Sequence, residues 1–297
     1  MTPRPFQFFS GDTPLAVTVH RAAEQLMEPG PTVLVTGSWL TVREQMPDRY
    51  AAALAERGYT AITFDFAGFG GSGGSPRQAE VCARKVADIA AAARAVRGLS
   101  FVRPGAVGHL AVCASAQYAL RAIAEGAPID SFAAVAGWFH DAATVAPFYG
   151  GGAGVGERLR RAGEALETYQ RTGEVVTVPA YQAGNDRAGM FLEMDYYANP
   201  SRGAVATWTN QMAELSWLHW LTFDGLTPAA GVSVPTLLVH ADDCVLPDNA
   251  REVARRMGGQ CELVWAEGGQ TDFYDQEKQV TMAIDAVDRH FRATLAR

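Results

Sequence analysis

The stretch Ala106-Val-Gly-His-Leu-Ala-Val-Cys-Ala-Ser-Ala-Gln-Tyr118 decides how this chain folds. Its first half is an apolar run typical of a buried strand, and its second half is an alanine-rich run typical of a helix. Cys113 stands at the change, with the small residues Ala111 and Ser115 two positions away on either side. Small residues at these positions are what a tight strand–turn–helix junction requires. The pattern therefore predicts a cysteine held on a sharp turn where a strand ends and a helix begins.

Segments with strand and helix character alternate along most of the remaining chain. Short apolar runs are followed by longer segments whose apolar residues recur every three to four positions. This order is typical of an α/β fold, with a mostly parallel sheet and helices on both of its faces. Besides the junction at Cys113, the predicted strands are 6–10, 15–20, 32–36, 61–65, 131–137, 234–240 and 261–265, and the predicted helices are 43–57, 80–96, 249–257 and 279–295.

The alternation breaks between residues 141 and 229. This stretch combines a glycine run at 150–152 with helical pieces and many aromatic residues. We interpret it as a mainly helical cap, inserted into an α/β core formed by residues 1–140 and 230–297. The aromatic residues of the predicted cap include Phe148, Tyr149, Tyr181, Phe191, Tyr196, Tyr197, Trp208, Trp217 and Trp220.

The composition limits the classes of partner. A net charge of −7 over 297 residues argues against nucleic acid or an anionic membrane as the main partner. No apolar run reaches the roughly 18 residues that span a bilayer, and the first residues lack a signal-peptide core, so we expect a cytoplasmic protein. The four cysteines lack metal-binding spacing, so we expect reduced thiols and neither a metal nor another cofactor. We expect a small-molecule substrate and leave a homodimer open.

The run Gly68-Phe-Gly-Gly-Ser-Gly73 matches the glycine pattern of dinucleotide-binding loops and follows a predicted strand. A dinucleotide site also needs an acidic residue at the end of a second strand about 20 residues later, and none is present there. We therefore interpret the run as a tight turn that leaves the sheet.

Several motifs, taken in order, resemble the α/β-hydrolase superfamily and, more narrowly, its dienelactone-hydrolase-like branch, whose members often carry cysteine as the nucleophile. They are Val35-Thr-Gly-Ser-Trp39, Leu54-Ala-Glu-Arg-Gly-Tyr59, Phe64-Asp-Phe-Ala-Gly-Phe-Gly-Gly-Ser72 and the junction at Cys113. The resemblance implies that Cys113 is the nucleophile and that the backbone N–H groups of Ser38 and Ala114 form an oxyanion hole. Trp39 would then form a wall of the pocket.

The resemblance also assigns the other two positions of a catalytic triad. The acid would be Asp243, in His240-Ala-Asp-Asp-Cys-Val-Leu-Pro247, and its usual task is to orient the base. The loop that normally carries the base histidine is Glu267-Gly-Gly-Gln-Thr-Asp-Phe-Tyr-Asp275, where Gln270 takes the place of histidine. A glutamine forms hydrogen bonds but cannot take up a proton. Asp243 could hold Gln270 or cap the following helix.

Other residues compete for these roles. Ser115 is the second candidate for the nucleophile, although the bulky Gln117 two positions later does not fit a tight turn. His140 follows a predicted strand at the sheet edge where ligands bind, so it is the best candidate for a substitute base. The start of a helix at Cys113 predicts a lowered thiol pKa.

These residues support three hypotheses for the function. The first is an enzyme that acts through Cys113 on an ester, lactone or thioester of a small organic substrate. The second is a non-hydrolytic lyase, cyclase or isomerase, acting on a polar, conjugated substrate in the same pocket. The third is a catalytically silent protein that encloses a ligand under its cap. In each case we expect Tyr197, Trp217 and Trp220 to line the substrate pocket, and in the first we expect Gln270→His to restore hydrolysis.

Overall fold

The computed structural model describes residues 7–21 and 29–295, and its core is an eight-stranded sheet. The strand order is β1-β2-β4-β3-β5-β6-β9-β10; β1 and β2 pair antiparallel to their neighbours, and the pairs from β4 to β10 are parallel. This arrangement confirms the predicted α/β fold. The strands are β1 Gln7–Ser10, β2 Thr13–His20, β3 Gly30–Thr36, β4 Thr60–Phe64, β5 Val102–Val112, β6 Ser131–Val135, β7 Thr177–Pro179, β8 Gln211–Ala213, β9 Thr236–Ala241 and β10 Cys261–Ala266.

The helices cover the sheet in groups, with α1 packed against α10 and α2 against α3. None of the helices in the described ranges is long and apolar enough to cross a membrane. The helices are α1 Met46–Glu56, α2 Cys82–Arg97, α3 Ser115–Ala124, α4 Ala142–Val145, α5 Gly151–Thr172, α6 Asp195–Ala198, α7 Trp217–Trp220, α8 Pro247–Arg256, α9 Asp272–Asp275 and α10 Glu277–Leu295.

Residues 141–229, which we call the cap segment, connect β6 to β9. The segment contains α4 to α7 and the two-stranded sheet of β7 and β8. Only α5 is a long helix, and much of the remainder is loop that packs its aromatic side chains inward. The cap segment starts near the carboxyl end of β6, which lies beside the end of β5 that leads into Cys113.

Several predicted boundaries differ from the structure for local reasons. The predicted strand 131–137 ends at Val135, because Ala136 takes a positive φ of 46° that a strand does not allow. The predicted helix 43–57 begins only at Met46, because the residues before it form a turn in which the N–H of Gln45 donates to the carbonyl of Val42 at 3.2 Å. The predicted strand 6–10 is found from Gln7; its first residue lies outside the described ranges.

The glycine-rich run after β4 is a tight turn, as predicted. Gly70 has a φ of 45°, and a Cβ placed there would lie 2.2 Å from the Asp65 carboxylate. The same carboxylate accepts a hydrogen bond from the N–H of Gly71 at 2.9 Å. The turn therefore closes on an acidic side chain, which occupies the space that a phosphate would need.

Candidate active site

Cys113 lies on the predicted turn between β5 and α3. Its φ is 60°, a left-handed conformation that is rare for a residue with a side chain. Hydrogen bonds from both sides fix this backbone: its N–H donates to Val135 at 3.1 Å, and its carbonyl accepts from Trp138 at 3.0 Å. A strained residue that its surroundings fix so firmly is a frequent feature of active sites. Ser115, the alternative nucleophile, donates its hydroxyl to the carbonyl of Val112.

Hydrogen-bond donors surround the sulfur of Cys113. The hydroxyl of Ser38 donates to it at 3.2 Å, and Ser38 itself accepts a hydrogen bond from the hydroxyl of Tyr197 at 3.1 Å. Tyr274, the backbone N–H of Ala114 and Gln270 also interact with the sulfur. These groups can all stabilise negative charge that forms on the sulfur.

The pKa of the Cys113 thiol is nevertheless raised. Burial has the largest effect, because it removes water from the thiolate, and the hydrogen bonds from Ser38, Tyr274, Ala114 and Gln270 only oppose it. The prediction of a lowered pKa is therefore wrong. The start of α3 does face the residue, but loss of solvent outweighs the helix N-terminus.

The two residues predicted to form the oxyanion hole, Ser38 and Ala114, both lie beside the sulfur of Cys113. The N–H of Ala114 interacts with the sulfur, and within residues 7–21 and 29–295 no backbone carbonyl takes up the N–H of Ser38. Two residues after Ser38, Leu40 has a φ of 59° and donates its N–H to the buried carboxylate of Glu80 at 3.2 Å, which fixes the backbone of this loop. An oxyanion hole formed by these two amides stays a prediction.

Gln270 lies beside Cys113, as its position in the sequence predicts. Its side-chain oxygen accepts a hydrogen bond from the N–H of Val245 at 3.1 Å. Its side-chain nitrogen donates to the carbonyl of Ala136 at 2.8 Å and to the hydroxyl of Tyr274 at 3.0 Å. These three partners hold the amide beside the sulfur, and an amide has no site that takes up the proton of Cys113.

Asp243 is placed differently from its prediction. The carboxylate is exposed, and the partners of Gln270 in the described chain are Val245, Ala136 and Tyr274. Helix α8 begins without a side-chain cap, so Asp243 does not cap it either. The chain after β9 turns so that the Val245 amide faces Gln270 and the Asp243 carboxylate faces solvent. The structure brings together Cys113, Ser38, Ala114 and Gln270, but not Asp243.

His140 does not fit the role of a substitute base. Its Nδ1 accepts a hydrogen bond from the indole of Trp138 at 2.6 Å, so its Nε2 carries the proton and donates to the carbonyl of Trp220 at 2.8 Å. The ring is fully buried, and burial lowers the pKa of His140 to about 4. Both nitrogens are already engaged, and the residue does not line the cavity at Cys113.

A narrow cavity of about 60 Å³ leads to Cys113. Its lining contains no charged side chain, which argues against a charged substrate. Leu192 lies at the mouth, where 56% of its side chain is exposed. The cavity is lined by Ser38, Trp39, Cys113, Trp138, Phe148, Tyr149, Gly189, Met190, Phe191, Leu192, Met194, Tyr197, Val245, Gln270 and Tyr274.

Two of the four predicted pocket residues line this cavity, namely Trp39 and Tyr197. Trp217 and Trp220 do not; both are fully buried behind Trp39. The ring of Trp220 stacks on Trp39 at 4.1 Å, and Trp217 meets Trp39 edge-on at 5.9 Å. These two tryptophans therefore support the pocket wall from behind, and the prediction that they line the pocket is wrong.

Sequence reasoning missed Tyr274, which contacts both Cys113 and Gln270. Tyr274 is four residues after Gln270, and that spacing brings two side chains together on one helical turn. The spacing was visible in the sequence, whereas the cavity-lining residues 189–194 lie in a loop that carried no recognisable signal.

Comparison with known proteins relates part of the sequence to two curated proteins. Over 94 residues the chain is 35% identical to the uncharacterized protein YcjY of Escherichia coli and 32% identical to the uncharacterized protein PA2218 of Pseudomonas aeruginosa. Each alignment covers 32% of this chain but only 31% of YcjY and 25% of PA2218, so the chain matches about a third or less of these curated relatives.

The fold likeness extends much further. The crystal structure of PA2218 superposes with a TM-score of 0.83 at 20% identity, covering 98% of this chain and 93% of that one. The alpha/beta hydrolase GrgF from Penicillium sp. sh18 superposes with a TM-score of 0.81 at 16% identity, covering 98% of both chains. The model of the alpha/beta hydrolase family matches residues 32–282. The chain therefore belongs to the alpha/beta hydrolase family.

Proposed function

We propose that this protein is an enzyme whose nucleophile is Cys113 and whose substrate is an ester, lactone or thioester of a small, uncharged organic compound. The observation that carries the proposal is the sulfur itself, held on a strained turn at the end of the cavity among hydrogen-bond donors. A cysteine nucleophile is also the feature that the chain would share with the dienelactone-hydrolase-like branch.

The first step forms a thioester on Cys113. The sulfur attacks the carbonyl carbon, the carbonyl oxygen becomes an oxyanion facing the amides of Ser38 and Ala114, and the bond to the leaving group then breaks. The thiol proton leaves with the departing alcohol or thiol. Sulfur is intrinsically more nucleophilic than a serine hydroxyl, so this step depends less on a strong base.

The second step separates this site from an ordinary hydrolase. Water must lose a proton to attack the thioester, and Gln270 has no site to accept it. When a thiol accepts the acyl group, it loses one proton, and the released sulfur of Cys113 takes one up. Transfer to a thiol therefore consumes no base overall. We therefore propose that the acyl group passes to an acceptor other than water, in acyl transfer or in cyclisation onto the substrate's own chain.

The lining of the cavity supports an uncharged substrate. A carboxylate or ammonium group would lose its hydration there without gaining an opposite charge, which is energetically costly. The aromatic faces of Trp39, Trp138 and Tyr149 favour a flat, apolar group. We also propose a cytoplasmic location, since the four cysteines of the chain are free.

A silent ligand-binding protein is the second candidate, and the raised pKa of Cys113 favours it. Incubation with 4-nitrophenyl acetate distinguishes the two. We expect one equivalent of 4-nitrophenol to be released quickly, followed by a slow phase, with one acetyl group mapped to Cys113 by peptide mass spectrometry. Cys113→Ala should abolish the fast phase, while Cys261→Ala, which changes a partly exposed cysteine elsewhere, should retain it. Absence of acetylated Cys113 would leave the binding protein as the better account.

A further inference from the structure

Tyr274 occupies a position next to the reacting sulfur that no triad residue fills. It lies on the short helix α9, and only 2% of its surface is exposed. Its hydroxyl accepts a hydrogen bond from Gln270 at 3.0 Å and interacts with the sulfur of Cys113. It also lines the cavity that leads to the sulfur, so a bound substrate would contact the same hydroxyl.

The orientation of the Gln270 amide is fixed by its partners. Its oxygen must face the N–H of Val245, and its nitrogen must face the carbonyl of Ala136. The reversed amide would place two donors together at Val245 and two acceptors together at Ala136. The group directed at Tyr274 is therefore an N–H, and the phenol oxygen accepts from it.

Since the phenol oxygen accepts from Gln270, the proton of Tyr274 points away from Gln270 and toward the reacting atoms. The phenol oxygen has one proton and two lone pairs. One lone pair accepts from Gln270, and the hydroxyl also interacts with Tyr197 and with the sulfur of Cys113, so its proton lies among the groups around the reacting sulfur. A donor amide behind an aromatic hydroxyl is the counterpart of the acid that orients histidine in a triad.

We propose that Tyr274 is a catalytic residue that relays the proton from Cys113 to the leaving group, and that Gln270 positions it. The inference rests on the proposed function of Cys113. The S–H proton passes to the phenol oxygen while the phenol proton passes to the leaving oxygen or sulfur. The bond from sulfur to the acyl carbon forms and the bond to the leaving atom breaks. The products are a neutral thioester, a neutral phenol and the free alcohol or thiol.

A relay of this kind suits a site without charges. Burial raises the pKa of Tyr274 well above its ordinary value, as it raises the pKa of Cys113. Forming an ion pair between the two would therefore be costly, because separated charges are poorly stabilised in an aromatic, water-poor cavity. In the relay each group gives up one proton as it receives another, and neither becomes an ion. The hydroxyl of Ser38 donates to the sulfur from a second direction, and Ser38 in turn accepts a hydrogen bond from Tyr197.

The dependence on leaving group tests this role. Tyr274→Phe keeps the ring and removes only the hydroxyl. The readout is the rate of Cys113 acetylation by phenyl acetate, whose leaving oxygen has a basicity close to that of tyrosine, and by 4-nitrophenyl acetate, whose leaving oxygen is far less basic. We expect the variant to lose about 10²-fold or more with phenyl acetate and less than about tenfold with 4-nitrophenyl acetate, because only the basic leaving group needs the proton.

Tyr196→Phe is the matched control. Its ring meets Tyr274 edge-on at 5.1 Å, but the residue does not line the cavity, so its rates should match the parent with both esters. Equal losses of the Tyr274 variant with both esters, or no loss, would overturn the relay. If Tyr274→Phe does not fold, Gln270→Leu should show the same ester-dependent loss, and its absence would overturn the role of the pair. Failure of the parent protein to be acetylated by either ester would instead overturn the proposed function itself.

Discussion

The Gln270→His variant tests whether a general base is the only group that the site lacks for hydrolysis. A general base typically accelerates a step about 10²–10⁴-fold. Its orienting acid is worth about 10⁴-fold in a serine protease triad, and Asp243 is exposed rather than aligned on position 270. Burial also lowers the pKa of His140 and His240 to about 4, so a buried imidazole here would be a weak base. We therefore expect deacylation of the thioester to accelerate by less than about tenfold.

The same variant should lose stability. An imidazole cannot reproduce all three hydrogen bonds of the Gln270 amide, so the amide of Val245 or the carbonyl of Ala136 loses its partner. An unsatisfied group at a partly buried site costs about 1–3 kcal/mol. The measurements are the steady release of 4-nitrophenol after the first equivalent and the free energy of unfolding in urea. Sustained turnover a hundredfold above the parent, without loss of stability, would show that Asp243 can reach position 270 and would refute the reasoning.

Three further outcomes follow from burial in the structure. At pH 7 iodoacetamide should modify Cys113 more slowly than the more accessible Cys261, and the rate at Cys113 should increase only at pH values above about 8.5, the ordinary cysteine pKa. If peptide mass spectrometry finds the opposite order, Cys113 is a thiolate. Trp220→Ala should cost about 3–5 kcal/mol of unfolding free energy, whereas Leu192→Ala should change it by less than about 0.5 kcal/mol and alter KM instead; urea unfolding and ester kinetics separate the two. Burial keeps His140 neutral, with a pKa of about 4 in the folded protein and about 6.5 in the unfolded chain. As the pH drops from 6.5 to 4, the unfolded chain takes up the proton first, so the free energy of unfolding falls by about 3 kcal/mol. A His140→Gln variant whose stability has the same pH dependence as the parent would contradict this.

The fold could be predicted from the sequence because its signals are local. Strand runs, helical periodicity and the small residues around Cys113 each depend on neighbours a few positions away. The short strands β7 and β8 and the loop at 189–194 carry no such periodicity. Their shape depends on packing against the core, so the sequence predicted only that the cap segment is aromatic.

Part of the site could also be predicted, because some of its residues follow local signals in the sequence. Cys113, Ser38 and Ala114 follow strand ends, and the parallel sheet brings strand ends together. The direction of a side chain in a loop depends on contacts over long sequence distances. Asp243 faces solvent because the Val245 amide takes the place facing Gln270. The predicted decrease in the pKa of Cys113 was wrong for a similar reason. The helix N-terminus is a local feature that the sequence shows, whereas desolvation depends on the whole cavity.

The most direct test of the central claim follows the fate of the acyl group on Cys113. The protein is acetylated with 4-nitrophenyl acetate, freed of excess ester, and divided between plain buffer and buffer with the small thiol N-acetylcysteamine. Intact-mass spectrometry then records the acetylated fraction over time. We predict that the thioester persists in buffer, because Gln270 cannot activate water, and disappears in the presence of the thiol with formation of S-acetyl-N-acetylcysteamine. Rapid loss of the acetyl group in buffer alone would contradict the account and show that the site contains a working base for water.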